Sequence, residues 1–118
     1  MISGMPPKYL TFIHTEEFDA SLDEIPLSDD ELAKAQAALQ ANPEAGDSIV
    51  GTGGVRKLRV AAKGKGKSGG ARFLYYYIVK AHTIYLLLAY SKSDFESVSD
   101  AGKQVLRGLS KKLDSEHS

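Results

Sequence analysis

Ala71-Arg-Phe-Leu-Tyr-Tyr-Tyr-Ile-Val79 and Ile84-Tyr-Leu-Leu-Leu-Ala-Tyr90, separated by the four residues Lys80 to Thr83, decide the fold. Both runs are short, aromatic or β-branched, and apolar on both faces, as expected of strands buried in the middle of a sheet. A four-residue connection joins antiparallel neighbours, so the two runs form a hairpin. If Val79 pairs with Ile84, the register places Phe73 opposite Tyr90 and Arg72 opposite Ser91.

Working outward, Val55 to Ala61 alternates, with Lys57 and Arg59 on one face and Leu58 and Val60 on the other. It is a third strand, joined to Ala71 by the flexible stretch Lys63-Gly-Lys-Gly-Lys-Ser-Gly-Gly70. Tyr9 to His14 reads as a strand, and Glu16 to Glu24 as a short helix that ends before Pro26. Ser28 followed by Glu31 forms a capping box that opens a helix carrying Leu32, Ala35 and Leu39 and ending before Pro43. Asn42 to Gly54 reads as a loop. From Ser99 to about Leu113 an amphipathic helix shows Val105, Leu109 and Leu113 at fourfold spacing. The expected architecture is α+β: a small antiparallel-rich sheet made of one N-terminal strand and a three-stranded meander, with two N-terminal helices and one C-terminal helix.

The 118 residues support one domain over 1–118, with 1–8 expected to be a flexible tail. The absence of cysteine excludes disulfides and thiolate metal sites. No apolar stretch is long enough to span a bilayer and no secretory signal opens the chain, so cytoplasmic residence without membrane association is the expectation. The net charge of zero conceals a strong asymmetry. Residues 1–50 hold two basic and ten acidic side chains, residues 51–80 eight basic and no acidic ones, and residues 81–118 five of each. Screening confines attraction to roughly a Debye length, ~8 Å in physiological salt, so a polyanion responds to the middle block rather than the total.

The hairpin and the loop return bring Arg59, the lysine loop, Arg72, Tyr90 and Lys92 to one end of the sheet, with Lys57 one pleat away, roughly 7 Å along the strand. A basic strand face is often merely solvated. Here no carboxylate occurs between Gly51 and Lys80 to neutralise it, and glycine-spaced lysines pack poorly but grip phosphates well. Lys57, Arg59, Arg72 and Lys92 are therefore candidate residues for binding an anionic partner, with Arg56, Lys63, Lys65, Lys67 and Tyr90 as further candidate contacts. Two tempting motifs fall away. Ala61 to Ser68 fits a loose P-loop pattern and Gly64 to Gly69 a dinucleotide fingerprint, but both need a helix after the loop, and a strand follows. His14, His82 and His117 are scattered, so no metal site is expected. Tyr75, Tyr76 and Tyr77 read as packing residues.

Three segments together carry a resemblance: Gly46-Asp-Ser-Ile-Val-Gly-Thr-Gly-Gly-Val-Arg-Lys-Leu-Arg-Val60, Lys63-Gly-Lys-Gly-Lys-Ser-Gly-Gly-Ala-Arg-Phe-Leu-Tyr-Tyr-Tyr77 and Tyr85-Leu-Leu-Leu-Ala-Tyr-Ser-Lys-Ser93. With the element order from Thr11 to Leu113, they resemble the HigB branch of the RelE toxin superfamily. The resemblance implies a small sheet flanked by helices and cleavage of mRNA in the ribosomal A site without a metal or other cofactor. It also implies neutralisation by a cognate antitoxin, a helix-turn-helix protein of HigA type. Lys57 and Arg59 match the family's basic pair, Arg72 its phosphate-binding arginine, and Lys92 a further basic position; Tyr90 lies near the late aromatic. Some relatives use a C-terminal tyrosine, and this chain has none after Tyr90, so the general acid stays unassigned.

RNA carries its own nucleophile, the 2′-hydroxyl, so the protein need only orient it, accept its proton, stabilise the added charge and protonate the leaving 5′-oxygen. With no histidine or carboxylate expected in the cluster, Lys57 is the candidate base, Arg59 and Arg72 hold the phosphorane, and Lys92 is a candidate acid or clamp. Two other readings compete: a module that binds nucleic acid without cutting it, and a superfamily toxin with another target such as DNA gyrase.

Overall fold

The computed structural model describes residues 9–25, 27–61, 70–91 and 98–117. The elements run β1 (Thr11–His14), α1 (Glu16–Leu22), α2 (Asp29–Ala41), β2 (Asp47–Ser48), β3 (Arg56–Val60), β4 (Ala71–Ile78), β5 (Thr83–Ser91) and α3 (Asp100–Glu116). The five strands form one mixed sheet in the order β1-β5-β4-β3-β2. β1 runs parallel to β5, and the other pairings are antiparallel. The α+β class and the helix order stand as the sequence predicts. The expected flexible tail, residues 1–8, lies outside the described residues.

Each helix starts on a hydroxyl cap. Thr15 accepts from the Phe18 amide, and Ser28 and Glu31 close the capping box in both directions. Ser99 accepts from the Gly102 amide. α1 and α2 cover one face of the sheet: Phe18, Ala35 and Leu39 bury Leu58, Phe73, Tyr75 and Leu86. α3 covers part of the other, laying Leu106 and Leu113 against Leu74, Tyr76 and Leu87. No helix among the described residues is long and apolar enough to cross a membrane.

Four sequence expectations are corrected. Residues 42–54 are not wholly a loop, because β2 pairs Asp47 with Lys57 and Ser48 with Arg56. The register of the β4–β5 hairpin differs as well. β4 ends at Ile78, opposite Thr83, and the chain reverses through a 3-10 turn at Val79–Ala81 with His82 left-handed, at a φ of 49°. A β-bulge then breaks the ladder: Tyr75 faces Leu86, but Leu74 faces Leu88, leaving Leu87 without a partner on β4. Leu87 and Leu88 consequently both serve the α3 side. An extra residue in one strand reverses the parity of everything beyond it. The bulge thus sets Tyr90 opposite Arg72, where the observed turn alone would set Ala89, and where the expected Val79–Ile84 register set Phe73 opposite Tyr90 and Arg72 opposite Ser91.

The fourth correction concerns α3. Val105 is 71% exposed, and the stripe facing the sheet runs through Leu106, Ser110 and Leu113. Ser110 is buried because the turn at Thr52–Gly54 presses on the helix: its hydroxyl donates to the Thr52 carbonyl at 2.9 Å, and a Cβ on Gly53 would lie 2.6 Å from the Ser110 Oγ. An apolar-periodicity argument overlooks a serine chosen for size and hydrogen bonding.

The far end of α3 is tied to the sheet by the Tyr76 hydroxyl, which donates to Asp114 at 2.8 Å. Burial first, then the Asp114 carboxylate, push the Tyr76 phenol up to about 12 from its ordinary 10. The folded state therefore holds a proton that the unfolded chain releases between those values, and the associated stability is complete below pH 10 and lost as pH rises through 12. Tyr76→Phe is expected to cost about 1.5 kcal/mol near neutrality. In chemical denaturation of both proteins, the gap between wild type and variant should close as pH is raised from 10 to 12.

Candidate functional site

On the α3 side of the sheet the strand register sets out a small grid. One row reads Arg59, Arg72, Tyr90, each directly opposite the next on β3, β4 and β5. The adjoining row reads Asp47, Lys57, Leu74, Leu88 on β2 to β5. Direct cross-strand partners on one face have Cβ atoms about 5 Å apart, and successive residues on that face lie about 7 Å apart along the strand. Lys57, Arg59 and Arg72 therefore share a patch no wider than a few phosphate diameters. Arg59 is exposed, while Lys57 and Arg72 are half-buried.

Arg59 opposite Arg72 is a like-charge pair at the position where such pairs are unfavourable. Neither forms an ion pair among the described residues, where the two salt bridges are His14–Asp19 and Lys34–Asp30 on the α1/α2 side. Arg72 donates one hydrogen bond, to the Ala71 carbonyl at 3.1 Å, which turns its guanidinium toward Gly70. Gly70 adopts a φ of +61°, and a Cβ there would come within 3.2 Å of the Val60 carbonyl. Only glycine lets the chain re-enter the sheet beside Arg72 without strain.

Tyr90 lies at the inner end of the cationic row, 6% exposed. Burial pushes its phenol pKa up, and the neighbouring Arg72 guanidinium partly offsets this. A raised phenol keeps its proton at neutral pH, so Tyr90 is suited to donate and unsuited to act as a base.

Two residues that sequence reasoning missed join the cluster. A pocket of about 240 Å³ between β2, β3 and α3 is lined by Asp47, Ser48, Ile49, Lys57, Val98 and Lys103. Lys103 sits on the sheet-facing stripe of α3, seven residues before Ser110 and three before Leu106, and is half-buried. That spacing was the available signal: a lysine in phase with buried positions faces the sheet rather than water. Asp47 overturns the expectation that no carboxylate reaches the cluster, because β2 holds it opposite Lys57.

The other candidates divide. Arg56 lies on the opposite face, opposite Tyr75, and its guanidinium donates to the backbone carbonyls of Gly46 at 2.7 Å and Glu44 at 3.3 Å. The structure does not bring it to the patch; it holds the 44–46 segment. Lys63, Lys65, Lys67 and Lys92 lie outside the described residues, but the Val60–Ala71 and Ala71–Ser91 pairs fix the flanking chain ends at the patch's edge. Tyr75 is wholly buried and bonded to the Pro43 carbonyl and the Gly46 amide, so it packs the core. His14 contacts Asp19 and Gln36, and His117 contacts Tyr85, away from the patch. Among the described residues no three His, Cys, Asp or Glu side chains are grouped to hold a metal ion.

The arrangement can do three things chemically: hold a phosphate between two guanidiniums, set an amine and a carboxylate beside it, and offer a protonated phenol at the inner edge. A family model described as the RelE toxin of the RelE / RelB toxin-antitoxin system matches residues 12–118, which takes in every described member of the site.

Because Arg59 and Arg72 repel, removing one charge should help the fold. Arg59→Gln is expected to raise the melting temperature slightly, by the equivalent of a few tenths of a kcal/mol. Inorganic phosphate should stabilise the wild type more than the variant, since only binding to the folded state contributes. Equal phosphate-induced shifts in a thermal melt would remove the arginine pair from anion binding.

Proposed function

The chain belongs to the RelE toxin family and is thus the toxin of a toxin–antitoxin system with a cognate antitoxin as partner; from that premise we propose that it is a ribosome-dependent endoribonuclease that cuts mRNA by attack of a 2′-hydroxyl on the adjacent phosphate. The observation that carries this reading is the unneutralised Arg59–Arg72 pair with Lys57 one pleat away on the same face. Guanidiniums held on adjacent strands are preorganised for an anion and gain most from the extra charge of a phosphorane.

In the proposed step Lys57 accepts the 2′-hydroxyl proton as the oxygen attacks phosphorus. Arg59 and Arg72 carry the charge on the non-bridging oxygens. The bond to the 5′-oxygen then breaks, and that oxygen takes a proton from Tyr90 or Lys103, the described donors by type, or from Lys92, which lies outside the described residues. The products are a 2′,3′-cyclic phosphate and a 5′-hydroxyl, so the step needs no metal to supply a nucleophile. Asp47, opposite Lys57, favours a second assignment of the base, because its carboxylate oxygens are acceptors by type. Lacking a pre-bound substrate, such a site is slow on free RNA, and the ribosome would contribute by orienting the mRNA in its A site. A helix-turn-helix antitoxin of HigA type and a cytoplasmic location complete the proposal.

The competing readings part from it experimentally. Growth arrest on expression, relieved by the antitoxin, separates a toxin from a passive binder. Intact mRNA accompanied by a DNA-damage response would point to gyrase. On translating ribosomes, Arg72→Ala is expected to reduce cleavage about 100-fold or more, as loss of one transition-state donor does; undiminished cutting removes Arg72 from the site. Lys57→Ala should lower turnover far more than mRNA binding, with Asp47→Asn near wild type. The reverse pattern would transfer the base to Asp47.

A further inference from the structure

We infer that the pocket between β4–β5 and the first turns of α3 is a subsite for one nucleobase of the RNA whose phosphate rests on Lys57, Arg59 and Arg72. The inference rests on the RNA-cleavage reading above and extends it to substrate recognition.

The pocket encloses about 370 Å³, at the small end of the range for small-molecule sites and suited to one ring system. Leu74, Leu88 and Tyr90 form its floor, Val105 and Leu106 its α3 wall, and Val98, just before α3, a neighbouring wall. Its polar lining is limited: the Ser99 hydroxyl is already engaged in capping the Gly102 amide at 3.0 Å. A guest is therefore held through flat apolar contact rather than through a hydrogen-bond code.

What distinguishes a base from any other apolar guest is the floor's continuity with the cations. Leu74 is the direct cross-strand partner of Lys57, and Tyr90 that of Arg72. The pocket thus begins one strand spacing, about 5 Å, from the phosphate-binding groups on the same face of the same sheet. An apolar side chain alone would fill the hollow and gain nothing from those neighbours. A nucleotide joins a flat ring to an anion at short range and uses both. Val105, 71% exposed, leaves the α3 rim of this hollow open to solvent.

The test uses the full chain and an uncleavable RNA trinucleotide, 2′-O-methylated throughout, with each position made abasic in turn. One abasic position is expected to weaken binding at least about five-fold, the lower bound for a stacked base. Val105→Trp fills the hollow from an exposed position and should erase that penalty while leaving the affinity for inorganic phosphate unchanged; Val98→Trp does the same from the neighbouring wall. The proposal is overturned if the trinucleotide does not bind, if no abasic position matters in the wild type, or if the penalty survives in both tryptophan variants. It is equally overturned if those variants bind RNA normally but no longer bind the antitoxin, which would make the hollow a protein-docking site. Binding is read without cleavage, so a base penalty in a protein that leaves ribosomal mRNA intact keeps the subsite and sinks the nuclease.

Discussion

Two guanidinium groups facing each other across neighbouring strands, with no described carboxylate bridging them, are a standing electrostatic cost that the rest of the fold must carry. The sheet carries it through its other face, where Leu58, Phe73, Tyr75 and Leu86 are sealed under α1 and α2. Along β3 and β4 the same strands alternate between this buried set and the cations, so the packing that fixes the register also fixes the charges. A slip of one residue would bury Arg59 and Arg72 and expose Leu58 and Phe73, a rearrangement opposed by every apolar contact on that side.

Apart from Asp47, the acidic half of the chain takes part by staying away. Glu16, Glu17, Asp19, Asp29, Asp30 and Glu31 cluster in the first turns of α1 and α2, where carboxylates also favour the helix N-termini. Those helices lie across the sheet from Lys57, Arg59 and Arg72. A molecule of zero formal charge thus presents a cationic face and an anionic back, and a polyanion approaching it is turned before contact.

Much of this was legible in the residues. Alternation in β3 placed Lys57 and Arg59 together, the apolar hairpin placed Arg72 and Tyr90 at the same end, and Ser28 with Glu31 marked α2 to the residue. What escaped depends on contacts between distant segments. The Leu87 bulge leaves no local mark in a run of three leucines, yet it decides which face Tyr90 takes. β2 is two residues long, too short for a periodic signal, and so Asp47 was hidden in a loop. Lys103 and Ser110 occupy a helical stripe by virtue of the turn that lies against it, while Val105, the residue that hydrophobicity selects, faces water. Arg56 shows the opposite failure. Its charge suggested RNA, but its parity on β3 sends it to the other face, where it satisfies carbonyls.

The parallel pairing of β1 with β5 joins the first strand of the chain to the last. Thr11 meets Thr83, and the Thr15 hydroxyl reaches the carbonyls of Leu86 and Leu87 beside the bulge. During synthesis the N-terminal segment must wait until residue 87 has left the exit tunnel before the sheet can close. Such long-range closure slows folding, because chain entropy is lost before the contacts form. The nascent polypeptide consequently lacks its closed sheet until β5 has been made.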